Sequence, residues 1–563
     1  LKISQKGEII MSNKFKVIGL IVTVFLLFAF LFNFVYGNPL LEVIPENVIG
    51  VLELKDAELI ESLSELDLAG FSPKGKEGSV IKDYRITREE IKEELGFDVL
   101  DPLFLENIFS GGAVLSCLGV SVGGVPEVLL ALSPSDSRAF TKLVGAIEAK
   151  NDLEEEVSIY KGIDIVSIIL PEEADLEPLK SISYAFLGDI LVIGGNLSPV
   201  KKAIEVFQGE SNSLLENSEY LEQKVKTEKK VEPSSFFFCL FGQELYYVLD
   251  ELVEVVEEEE LAKTLRDSRD SLEDMGTVSG VGGYQEKQFK VYTIAQIAEK
   301  YIDIFKEIDI INLRSLSMFP KNTFFYLGGV LPFTWEEIKE GYISEDLQLN
   351  LEKNIKQVQE KSGIDIEKTI YSWPAKEFSL GLFDTSGIFP KVGLIAGYSS
   401  EEKLIQNLYP ALENFAPIMG GVLIDNQYEG INYKSLPNPM FPLGYGIAGD
   451  RFVLSSGIAN IIDAQKGDMA TLDKLEAIKY MLSFPKVFSL LYIDMNSVSE
   501  IAGRFIQMAV QQIPEGAEEG SEGAKRKESL NAVLEGLNSL ENILFWAGLE
   551  EDYSYSWLEI NYK

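Results

Sequence analysis

Ser198-Pro199-Val200-Lys201 sets a lysine three residues after a serine. On a helix that spacing brings an amine within reach of a hydroxyl, where it can take the proton of a serine nucleophile. The same chemistry needs an SDN element and a K-[ST]-G tripeptide. No SDN follows, and the K-[ST]-G at Lys361-Ser362-Gly363 falls at an expected helix end. Ser198 therefore reads as a helix N-cap and Lys201 as a solvated cation. A second chemistry needs only paired carboxylates, as in glycoside hydrolysis. Asp189 and Asp450 qualify by type, as do Asp98 and Asp365, but each stands just after a glycine in a pattern that a turn or helix end explains. Gly444–Gly449 spells G-x-G-x-x-G. A dinucleotide fingerprint must follow a strand and open a helix, so that the helix N-terminus meets the pyrophosphate. Here a second apolar strand follows instead. Glu251–Glu260, ELVEVVEEEE, lacks the turning loop and glycine of a calcium site and reads as the exposed face of a helix.

Histidine is absent, which excludes Ser-His-Asp and Cys-His catalysis, histidine-ligated zinc and a histidine proton switch. Cys117 and Cys239 are too few for a four-cysteine zinc site or an iron–sulfur cluster within one chain. Both lie in apolar, strand-like runs where a buried free thiol is the simplest reading; a single disulfide between them stays open on sequence grounds. No catalytic, cofactor-binding or metal-ligating residue is expected.

The elements carrying these residues are laid down twice. Tyr184–Gly195 (YAFLGDILVIGG) returns at Tyr445–Ser456 (YGIAGDRFVLSS). Each is a pair of apolar runs folded on a Gly-Asp, Gly188-Asp189 and Gly449-Asp450, and the spacing predicts a β-hairpin with a tight turn. In both, a Tyr stands four residues before the Gly and a Val three after the Asp. Val43–Leu54 and Phe319–Gly328 read as matching strands, with Pro45 on Pro320 and Asn47 on Asn322. A helix over Thr87–Leu95, with a Thr87/Glu90 capping box, stops at Gly96 as its counterpart stops at Gly363. An ungapped match of Gly111–Phe140 onto Ala375–Leu404 places Cys117 on Gly381. Tyr160-Lys161-Gly162-Ile163 matches Tyr428-Glu429-Gly430-Ile431, the following helices stop at Gly209 and Gly467, and Cys239 falls on Leu491. Residues 514–528 read as a flexible, protease-sensitive loop. A period of about 260 residues is too long for a solenoid and indicates duplicated domains.

Val17–Tyr36 is almost wholly apolar, and its twenty residues span about 30 Å as a helix. Lys14 and Lys16 precede it and Glu42 and Glu46 follow, which keeps the N-terminus in the cytoplasm and exports the rest. An uncleaved anchor is favoured; cleavage after Gly37 would secrete the chain. The expected fold class is α+β: an N-terminal transmembrane helix followed by two duplicated α+β repeats with antiparallel sheets. Its segments are a cytoplasmic stretch 1–16, a transmembrane anchor or signal helix 17–36, a repeat 44–297, a helical linker 298–318 and a repeat 319–563. The 563 residues carry 89 acidic and 50 basic side chains, a net charge of −39 that repels phosphate backbones and argues against nucleic acid as a partner.

The export segment, the P-x-N strand opening, the helix ending in G-[FI]-D-[VI] and the Gly-Asp hairpin together resemble a bacterial extracytoplasmic family known as domain of unknown function 3352. The resemblance covers most of Val43–Gln296 and, more loosely, the second copy. It implies export and a repeated α+β body, and it supplies no catalytic residues. The expected function is a membrane-anchored, non-catalytic binding or scaffolding protein of the cell envelope, with the membrane met through Val17–Tyr36. The alternatives are a carrier of an apolar ligand such as lipid, and a histidine-free hydrolase using Ser198/Lys201 or paired carboxylates.

Overall fold

The structure is a computed structural model. It describes residues 39–54, 101–121, 126–151, 153–170, 180–256, 259–272, 276–297, 313–330, 377–387, 389–398, 400–417, 421–438, 442–484, 486–511, 522–550 and 552–563, with a few isolated residues elsewhere. The chain divides into two compact units, Leu1–Ala298 with Met508–Gly536, and Glu299–Gln507 with Leu537–Lys563.

In the first unit the strands are β1 (Gly50–Leu54), β2 (Ala113–Val120), β3 (Pro126–Leu132), β4 (Glu154–Tyr160), β5 (Ile163–Ile169), β6 (Ser181–Leu187), β7 (Ile190–Gly194), β8 (Phe236–Leu240), β9 (Val278–Gln285) and β10 (Gln288–Gln296). All pair antiparallel, in the order 4-5-6-7-3-2-1-8-9-10. The second unit holds β11 (Thr323–Val330), β12 (Glu377–Phe383), β13 (Lys391–Gly397), β14 (Ile424–Tyr428), β15 (Ile431–Leu436), β16 (Leu443–Ala448), β17 (Arg451–Ser455), β18 (Val487–Asp494), β19 (Leu540–Glu550) and β20 (Tyr553–Tyr562). Their order, 14-15-16-17-13-12-11-18-19-20, is the first with ten added to every strand.

The expected fold class needs correction in its leading element. Among the described residues no helix is long and apolar enough to cross a membrane, and the body is antiparallel sheet, twenty strands of it. Val17–Tyr36, Asp98 and Asp365 lie outside the described residues, as do the expected Thr87–Leu95 helix apart from Lys92, which is helical, and most of the 298–318 linker. The strand expected from Val43 begins only at Gly50, because Pro39–Val43 forms a 3-10 turn. The loop expected over 514–528 is helical from Glu522.

Helices cover both faces of the first unit's sheet, which explains why its central strands are apolar at consecutive positions rather than alternate ones. Val114, Leu129, Ala131 and Val192 point to the face covered by α3 (Leu197–Phe207). Leu130, Leu132, Leu191 and Ile193 point to the other, beneath α1 (Pro102–Phe109) and α2 (Ser137–Asn151). α4 (Ser218–Thr227), α5 (Gly242–Val255) and α6 (Glu259–Leu272) follow; in the second unit α7 (Ile458–Lys466) and α8 (Glu476–Leu482) stand where α3 and α4 do.

The repeated residues now have physical roles. Leu187 pairs with Ile190 and Ala448 with Arg451, so each Gly-Asp is a two-residue hairpin loop. Gly188 and Gly449 have φ of +65° and +62°, while neither aspartate has a positive φ, the pattern of a type II′ turn. The Tyr ahead of each turn is core: Tyr184 meets Phe140 edge to face at 5.2 Å, and Tyr445 meets Tyr409 likewise at 5.0 Å. Val192 and Val453 are fully buried. The helix stops are Schellman motifs, with Gly209 and Gly467 left-handed and the next amide bonding back to Glu205 and to Asp463. Even the isolated bridges repeat, Pro45 with Ser213 and Pro320 with Thr471.

One match slips. Leu130 pairs with Leu115 and Leu394 with Leu380, so on the β1 side of the bulge at Cys117/Gly119 the first copy is one residue out of step with the ungapped match. Cys117 stands over Leu382 rather than Gly381. The same register carries Cys239 onto Tyr492 rather than Leu491.

Candidate functional site

Ser198 is the second residue of α3, and Asn196 is the N-cap, its side chain accepting from the Ser198 amide at 2.8 Å. Lys201 is turned away, its ammonium 5.1 Å from the centre of the Tyr160 ring. Ser198 instead shares Glu127, at the start of β3, with Lys202, whose Nζ lies 2.6 Å from the carboxylate. Burial works against charge on Glu127, but the hydrogen bonds from Lys202 and Ser198 outweigh it and hold the carboxyl below its usual range. A carboxylate so stabilised is a poor base for the Ser198 hydroxyl. The serine–lysine dyad is not assembled.

Asp189 and Asp450 each occupy the turn of their own unit. The Asp450 carboxylate accepts from Arg451 at 2.8 Å and lies 3.4 Å from Arg314. Gly444 and Gly446 lie inside β16, close against Ile458 and Tyr433, and no helix follows the turn at Gly449. The acidic run is not one helical face: α5 ends at Val255, Val256 is extended, and Glu259 opens α6. Among the described residues no cluster of carboxylates and thiols is arranged to hold a metal ion. Cys117 and Cys239 are free thiols. They sit on β2 and β8 with β1 between them, about 10 Å apart by strand spacing, beyond disulfide reach. Burial pushes both thiols up.

The chemistry that sequence reading missed lies in two buried charge clusters. In the first unit Glu53, on β1 and 1% exposed, receives Lys224 of α4 on both carboxylate oxygens, at 2.8 and 2.7 Å. The Tyr220 hydroxyl also bonds this carboxylate. Burial, and then the Glu53 charge, push the Tyr220 phenol far above its ordinary value, so it remains a donor. Beside it on α4, Gln223 accepts from Ser279 at 3.0 Å. In the second unit Glu377, 2% exposed, is paired with Arg451 at 3.0 Å and accepts from the Ser315 amide at 2.9 Å. The Ser315 hydroxyl joins the Tyr326 hydroxyl at 2.8 Å, and burial raises the Tyr326 phenol.

These clusters are not counterparts. By strand register Glu53 corresponds to Gly328, and Tyr220 and Lys224 fall on Ile478 and Leu482 of α8; Arg451 falls on Ile190. A Cβ at Gly328 would lie 2.2 Å from the Tyr326 hydroxyl, so the Tyr326 side chain takes the space of the missing carboxylate. A different set of polar contacts does recur. Tyr160 donates to Glu205 at 2.5 Å, and Tyr428 bonds Asp463, tying each β4/β5 or β14/β15 turn to the helix beyond it. Gln208 and Lys466 then bond the carbonyls of Lys161 and Glu429 in those same turns. The only sequence signal for either buried cluster is an acidic residue in an apolar strand, GVLEL for Glu53 and EFSLGLF for Glu377.

The chain belongs to the family described as Protein of unknown function (DUF3352), whose model matches residues 112–532 and so runs through both copies. No curated protein and no solved structure matches the chain.

Proposed function

We propose that the protein is a non-catalytic binding or scaffolding protein. The observation that supports this is the contrast between what the two units repeat and what they do not. Hairpin turns, helix stops, core rings and the tyrosine–carboxylate ties recur, and all of these hold the scaffold. The buried charges differ between units, and each is closed on its own partners. An acid, base or nucleophile must keep a reactive atom free for substrate, and a carboxylate saturated by lysine, arginine or amide donors does not. An extracytoplasmic location belongs to the same proposal and rests on the export-like character of residues 14–37.

The test is site-specific photo-crosslinking from exposed positions of each unit in intact cells, with fluorophosphonate and β-lactam labelling of the purified chain. A discrete, recurring crosslinked partner supports the proposal. Labelling that Ser198→Ala abolishes would overturn it, as would the absence of any discrete crosslink from either unit. A bound lipid mass in native mass spectrometry would favour the apolar-carrier alternative instead.

A further inference from the structure

The first unit's sheet ends at β4, Glu154–Tyr160, which pairs with β5 over seven residues without a register shift. Among the described residues no strand pairs with its other side. A free edge exposes a row of amides and carbonyls, and proteins usually blunt it with lysine, proline, a bulge or shortness. β4 has none of these. Its defence is acidic: Glu154, Glu155 and Glu156 are all exposed. Beyond them Val157 is 60% exposed and Ile159 75% exposed. Side chains alternate across a strand, so Glu155, Val157 and Ile159 share one face, while Glu154 and Glu156 share the other with Tyr160. On the first face Val157 stands opposite Val166, and Val166 opposite Tyr184, so an apolar row leaves the core and stops in solvent at the edge.

We infer that β4 is a docking edge for an extended segment of a partner protein, one that is apolar in its first half and basic in its second. An antiparallel strand would complete the ladder by β-augmentation, place apolar side chains beside Ile159 and Val157, and set lysine or arginine against the three glutamates. Charge selects this occupant over a second copy of the chain, because two copies at −39 each repel. The second unit does not offer the same surface. Its β14 pairs over five residues, with Asp425 and Gln427 where β4 has Val157 and Ile159, and its exposed Ile424 stands in the place of Glu156. The inference rests on the binding reading above and names its surface and the chemistry of its partner.

The test uses the full chain and a fluorescent peptide, Thr-Val-Thr-Ile-Lys-Lys-Lys, with a scrambled peptide of the same composition, read by fluorescence anisotropy at physiological salt. The ordered peptide should bind at least about tenfold more tightly than the scramble, since charge alone favours both equally. Hydrogen exchange should slow within 154–160 on binding. Ile159→Lys should erase the difference while leaving the thermal midpoint unchanged, because that side chain is mostly in solvent. Glu155→Lys/Glu156→Lys should transfer preference to the peptide with glutamates in place of its lysines. Equal binding of ordered and scrambled peptides overturns the inference, as does protection elsewhere than 154–160. So does a self-associating chain whose dimer Ile159→Lys dissolves, which would assign the edge to a second copy. A crosslinked cellular partner unaffected by Ile159→Lys would overturn this surface alone and leave the binding reading standing.

Discussion

Replacing Lys224 by methionine isolates the worth of the buried cluster in the first unit. Methionine keeps the length and apolar stem of lysine and removes its charge, so packing against α4's neighbours is little disturbed. Glu53 is then left at 1% exposure with the Tyr220 hydroxyl as its remaining donor from this cluster. Removing one partner of a buried pair costs about 3–5 kcal/mol, mostly from the uncompensated charge left behind. Lys224 is itself 18% exposed, so water reaches the pair and the lower end of that range applies. For a unit of this size, at about 2.1 cal/mol/K of unfolding entropy per residue, about 3 kcal/mol lowers the midpoint by roughly 4–5 °C. The second unit supplies the control, since Gly328, Ile478 and Leu482 fill the equivalent place without charge. Glu53→Leu/Tyr220→Phe/Lys224→Leu should therefore recover most of the loss, as apolar replacements of buried pairs usually do. Two units need not unfold together, so the assay is scanning calorimetry with hydrogen exchange at 236–240 to mark the first unit's transition. A loss below about 1 kcal/mol for Lys224→Met would refute the argument, because it would mean that water already screens Glu53.

Four further outcomes follow from the geometry. The hydrogen bonds from Lys391 and Ser386 hold Asp384 at about 2, against an ordinary 3.8. Its contribution is complete above the unfolded value and lost as pH falls through the folded one; with Lys391 37% exposed it amounts to about 1–2 kcal/mol. Acid titration of the second unit's stability between pH 4 and 2 should therefore be shallower in Asp384→Asn. Gly188→Ala adds a Cβ that meets nothing within 4 Å, so its cost is the left-handed backbone alone, about 1 kcal/mol by denaturant titration. Gly381→Ala drives a Cβ to 2.3 Å from the Phe319 ring and should cost more, about 1–3 kcal/mol. Cys239, buried and with its thiol raised, should react with maleimide only after unfolding, and oxidation should form no bond to Cys117.

The architecture was legible where backbone geometry dictates residue type. A two-residue loop with a positive φ needs Gly, a left-handed helix stop needs Gly, and a ring at the face of a helix needs bulk, so Gly188, Gly209 and Tyr184 announced their counterparts 445–467 from sequence alone. The one-residue slip at β2 was invisible because a bulge adds a residue without a compositional mark; Gly119, at φ +144°, is its one trace. The buried charges were invisible for a deeper reason. Glu53 meets Tyr220 and Lys224 about 170 residues away, and nothing local to β1 records that the partner exists. Alternation in GVLEL puts Glu53 on the same face as Val51, and because the sheet buries both of its faces no polar face in the pattern accounts for a glutamate there.

The two units share a strand order yet dispose of polar groups differently at the same place, and this bears on what the family's scaffold requires. If the Glu53 cluster were needed to specify the fold, Gly328 with Ile478 and Leu482 could not support the same order of strands and the same bridge at Pro320. If the Glu377–Arg451 pair were needed, Ile190 could not stand at the start of β7. Each cluster is thus dispensable to the topology, and a buried pair is seldom retained for stability alone. What remains common is a ring on each central face, two Schellman stops and two hairpin ties, all of them local solutions to turning and capping. Such a frame leaves its edges free to differ. The seven-residue acidic and apolar edge at β4, against the five-residue edge at β14, is where the two copies differ in both length and side chains.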